Sequence, residues 1–180
     1  MGKRPSKSQL KWKDVKAKLA GFDHAGLLCL VQDLYAAHKD NRTFLHARLG
    51  LGEEVLNPYK ETIDRWLWPD VFRNQNTSVA KAKQAIADYK KAVGDPAGLG
   101  ELMVHYCETA AGFCVEFGND DLSYLRSLVL VFEQAIATAD ILPADRRDAL
   151  LARLDQVREI SQKLGYGVGA SLDDAFAEYS

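Results

Sequence analysis

The chain has 180 residues, 47% of them hydrophobic and 27% charged, with a formal net charge of −2 at pH 7. Those figures fit one globular domain long enough to bury a core, and no apolar run approaches the ~20 residues that span a bilayer. Residues 1–20 carry +6 and the rest carries −8, so a basic arm precedes an acidic body.

The arm stays charged through KSQLKWKDVKAKL (7–19). That leaves no apolar signal-peptide segment and predicts a cytoplasmic protein without a membrane partner. Residues 1–7 read as a flexible basic tail, and residues 8–180 as a single all-α domain. Lys11, Lys13, Lys16 and Lys18 are a candidate partner surface, open to an acidic protein or, as an alternative, to nucleic acid.

Periodicity is helical nearly throughout. Residues 8–20 read as a short basic helix stopped by Gly21. Asp23 caps a second helix with Leu27, Leu28, Leu30, Val31, Leu34 and Tyr35 as its apolar positions. A third runs from about Asn41 to Gly50. Asn57-Pro58 places proline at a first helical position, and that helix continues through Trp66. Trp66, Trp68, Tyr59, Pro69 and Phe72 read as an aromatic cluster closing one end of the core. Residues 69–78 are a polar loop, after which Ser78 caps a helix ended by Gly94.

Asp95-Pro96 then opens a helix through LGELMVHYCETAAGFCVEF (99–117). At 100° per residue, Glu101, His105, Glu108 and Glu116 form one stripe, and the apolar residues fill the opposite side. Gly118 closes it, and Asp120 or Asp121 starts a helix apolar almost all round, which predicts burial on every side. Pro143 starts a long amphipathic helix. Gly165 is expected to cap it, and Ser171 to cap a short final one. No segment alternates over strand length. The fold class is therefore all-α: eight or nine helices as consecutive antiparallel hairpins, a bundle or a short helical-repeat-like domain.

Five segments carry a resemblance. They are Trp68-Pro69-Asp70, SVAKAKQAIADYKK (78–91), LMVHYCE (102–108), FGNDD (117–121) and LGYGVGASLDDAFAEY (164–179). Over roughly 66–179 the chain resembles a bacterial all-helical domain family of unknown function. The resemblance implies an intact all-α domain and supplies neither reaction nor ligand.

His105 and Glu108 are the candidate ligand or metal residues, since a carboxylate and an imidazole one turn apart can share a metal or form an acid–base pair. Di-metal bundles use Glu-x-x-His on paired helices; here the order is reversed and no second ligand-rich helix follows. No metal site or cofactor is therefore expected. Lys83 and Lys90, seven residues apart, extend the candidate partner surface. The Gly165–Gly169 run lacks the preceding strand of a dinucleotide loop and the lysine of a P-loop. Cys29, Cys107 and Cys114 offer no paired motif and read as reduced apolar side chains. The leading expectation is a non-enzymatic helical module that binds another macromolecule, with protein as the expected partner. The alternatives are a small-ligand or metal-dependent enzyme using His105 and Glu108, and nucleic-acid association through the basic arm.

Overall fold

Local signals set most helix boundaries. The computed structural model describes residues 10–51 and 55–178, and the tail read at 1–7 lies outside them. Among the described residues there are nine α-helices and no strand. They are α1 (Trp12–Leu19), α2 (His24–Ala37), α3 (Lys39–Leu49), α4 (Asn57–Leu67), α5 (Val79–Ala92), α6 (Pro96–Phe117), α7 (Leu122–Asp140), α8 (Ala144–Ser161) and α9 (Val168–Ala177). Caps sit where the residue types call for them: Asp23, Asp95 and Asp121 accept from Gly26 N, Gly98 N and Tyr124 N at 2.7, 2.8 and 2.7 Å. Each satisfies an amide that a helix start leaves without a partner.

The chain divides into two compact units, with the boundary between Leu45 and His46. The first holds α1, α2 and the start of α3. In α1 and α2 no residue is buried. The α2 sequence nevertheless reads HAGLLCLVQDLYAA, with Asp33 as its one formal charge.

The second unit holds the core. α6 packs against α4, α5, α7 and α8, while α9 packs on α7 and α8. Leu102, Val104, Tyr106, Leu128, Phe132 and Leu154 are sealed from solvent at its centre. Two hydroxyls are satisfied inside it. Tyr106 Oη pairs with Ser127 Oγ at 2.7 Å, and Tyr124 Oη donates to the Leu67 carbonyl at 2.8 Å, closing the end of α4. Close approach is bought with helix-interior glycines. A Cβ at Gly100 would lie 2.7 Å from Leu150 Cδ1, and one at Gly112 2.7 Å from the Trp68 ring.

Several local expectations need correction. Ser171 does not cap α9. The helix starts at Val168, because Tyr166 and Gly167, both at positive φ, reverse the chain first; Ser171 Oγ instead donates to Gly167 O. The aromatic cluster is dispersed. Trp68 packs on Phe113 and Phe117, Tyr59 on Tyr89, and Phe72 is 91% exposed because the 3₁₀ turn at 71–73 points it outward. α7 is not buried all round, since Leu122 and Leu130 remain 41% and 44% exposed.

Candidate functional site

The polar stripe of α6 faces α4 and α8 rather than open water. Glu101, His105 and Glu108 are half-buried there, whereas Glu116 is exposed. From α4, Lys60 Nζ reaches Glu101 Oε1 at 2.6 Å. From α8, Arg153 grips two carboxylates at once. Its Nε and Nη2 donate to Glu108 Oε1 and Oε2, each at 2.7 Å, and its Nη1 donates to Glu101 Oε2 at 2.6 Å. This is the fork geometry that makes arginine–carboxylate pairs strong.

A second group lies one turn along. His105 Nε2 pairs with Asp64 Oδ1 of α4 at 2.7 Å, and Thr109 Oγ1 donates to the same oxygen at 3.0 Å. His105 and Glu108, three residues apart on α6, thus turn to different helices and share no partner.

Electrostatics follow from this wiring. Burial alone would raise the pKa of Glu101, but hydrogen bonds and charge from Lys60 and Arg153 outweigh it and hold the carboxyl below its ordinary range. Asp64 behaves alike: burial pushes up, and the contacts from His105 and Thr109, with the Lys60 charge, bring the net shift down. Arg153 is driven up, first by its hydrogen bond to Glu108. Asp64, Glu101 and Arg153 are therefore each held in the charged form at pH 7.

What this arrangement does chemically is join three helices. Both Glu108 oxygens are occupied by Arg153, so ligating a metal there would require breaking the bidentate pair. Among the described residues no group of three or more His, Cys, Asp or Glu is placed to hold a metal. The buried thiols are poor nucleophiles, since burial pushes Cys107 up and Cys114 to about 11. Cys29 is exposed. The Lys60–Glu101–Arg153 run forms one wall of a cleft of 530 Å³, with Tyr89, Leu142 and Arg146 around it; neither His105 nor Glu108 lines that cleft.

The lysines separate. Lys11, Lys13, Lys16 and Lys18 are exposed on α1. Lys90 is exposed on the last turn of α5, whereas Lys83 is half-buried in a groove beside Leu122, Arg126 and Leu130 of α7. Lys60, Asp64 and Arg153 escaped the sequence reading. Lys60 and Asp64 are one turn apart on α4, which marks a shared face, but their partners lie 41 residues away. No local pattern encodes that register.

No family model, curated protein or solved structure matches the chain.

Proposed function

We propose that this chain is a non-enzymatic helical module that works by binding another protein. The observation that carries the reading is α2. Leu27, Leu28, Val31 and Leu34 are 38–56% exposed, and no residue of the helix is buried. A helix of 14 residues is marginal by itself, and its stability normally comes from packing an apolar face. A contiguous apolar surface of this kind marks an interaction site. The exposed lysines of α1 beside it in sequence favour a partner with an apolar groove and an acidic rim. The α6 groups that could have carried chemistry support the same reading, because they are engaged in holding α4, α6 and α8 together.

The test is a photo-crosslinking amino acid at Leu34, with Glu159, exposed on α8, as the control position. Irradiation in cells should give discrete protein adducts at Leu34 and none at Glu159. Adducts only to nucleic acid or lipid, or no adducts at Leu34, would contradict the proposal.

A further inference from the structure

We infer that the outer side of α7 is a second docking surface, and that its occupant is an amphipathic helix of a partner protein carrying leucine-type residues flanked by acidic ones. This rests on the protein-binding reading but uses a face of the other unit.

The α7 sequence has more apolar residues than the core consumes. Leu128, Val131, Phe132 and Ile136 point inward and are sealed. Leu122 and Leu130 remain exposed on the outer side, with Val129 half-buried next to them. Together with Arg126 they form a ridge at helical spacing, and a groove runs along each flank. The groove between α5 and α7 measures 460 Å³ and is lined by Val79, Lys83, Leu122, Arg126 and Leu130 with two serines. The groove between α7 and α9 measures 610 Å³, shares Leu122, Arg126 and Leu130, and adds the carboxylate of Glu133. A ridge between two grooves is the relief that a second helix packs against, through anchors at i, i+3 or i+4, and i+7. At the rim of the second groove stands Tyr166, 68% exposed and held at φ 59°, a backbone region few side chains adopt.

Charge selects the occupant. The α5–α7 groove contains Lys83 and Arg126 and no carboxylate. Neither cation has an ion pair among the described residues, whereas Lys60, Arg153 and Arg158 are each paired. Glu133 lines the α7–α9 groove and not this one. The acidic flank of the occupant therefore lies along the α5–α7 side, where two unpaired cations beside an apolar trough attract an acidic helix and repel a basic one.

The experiment uses the full chain and two short stapled helical peptides with the same leucine spine, one flanked by glutamates and one by lysines. Fluorescence anisotropy at low and physiological salt reads affinity. The glutamate peptide should bind at least about tenfold tighter, with the difference shrinking as salt rises. Lys83→Glu with Arg126→Glu should invert the preference, and Leu130→Asp should abolish both. Amide shift mapping on the unmodified chain, which depends on no variant, should centre on Leu122, Arg126 and Leu130. Equal binding of the two peptides, no binding, or shifts centred elsewhere overturns the inference. So does a dimer in solution that Leu130→Asp converts to monomer, because the occupant would then be a second copy. Crosslinks from Leu34 are unaffected by any of these outcomes, so failure here is distinguishable from failure of the protein-binding reading.

Discussion

Arg153→Met is the sharpest perturbation of the α4–α6–α8 seam. It removes three charge-assisted hydrogen bonds of 2.6–2.7 Å, takes from Glu108 the partner of both its oxygens, and leaves Glu101 with Lys60. Breaking a fully buried pair costs about 3–5 kcal/mol, and an exposed pair contributes about 0–1 kcal/mol. These side chains are 31%, 25% and 35% exposed for Arg153, Glu101 and Glu108. The expected loss lies between those limits, at about 2 kcal/mol. For a chain of this size that lowers the thermal midpoint by about 4–8 °C. Adding Glu108→Met to Arg153→Met should recover a large part of the loss, because it removes the carboxylate left without its partner. Urea and thermal denaturation at pH 7 measure both variants. A loss under about 0.5 kcal/mol for the single variant would refute the reasoning, as the ions would then be screened like surface charges. A double variant no more stable than the single would refute it too.

Acid should act through the same seam. Glu101 and Asp64 ionise more readily in the fold than in the unfolded chain, so their stabilisation is complete above about pH 5 and is lost as pH falls through 4 and below. Glu101→Gln should flatten the dependence of the urea midpoint between about pH 5 and 3; an unchanged slope would show that the seam does not set it. At Gly98 an added Cβ would collide with the Tyr89 hydroxyl. Gly98→Ala should therefore destabilise by about 1–2 kcal/mol despite its helix propensity, and a gain in thermal midpoint would contradict this. Ser161 Oγ is buried without a hydrogen-bond partner among the described residues. Ser161→Ala should raise stability by about 1 kcal/mol, and a clear loss in denaturant would show that the hydroxyl is satisfied.

Helix starts were legible in the sequence because the groups involved are adjacent. Asp23, Ser78, Asp95 and Asp121 each cap an amide three residues on. Ser171 failed as a cap because the preceding turn closed early at Gly167, which a local pattern cannot foresee. The α6 stripe was legible as a stripe. Its partners Asp64 and Arg153 were not, since pairing across 41–52 residues depends on how three helices align. For α7, periodicity showed that nearly every side is apolar but not how many neighbours the fold would supply, so Leu122 and Leu130 end outside. The same holds for α2, whose apolar positions were plain and whose exposure was not.

The proposal that α2 presents a docking face is tested most directly by hydrogen exchange on the isolated protein at a concentration where it is monomeric. Amides of α2 should exchange at least about 100-fold faster than those of α6, whose protection reflects opening of the whole core. Addition of the crosslinked partner should then slow exchange in α2 selectively. Protection of α2 equal to that of α6 in the free monomer would mean its apolar side is already covered, and would contradict the account.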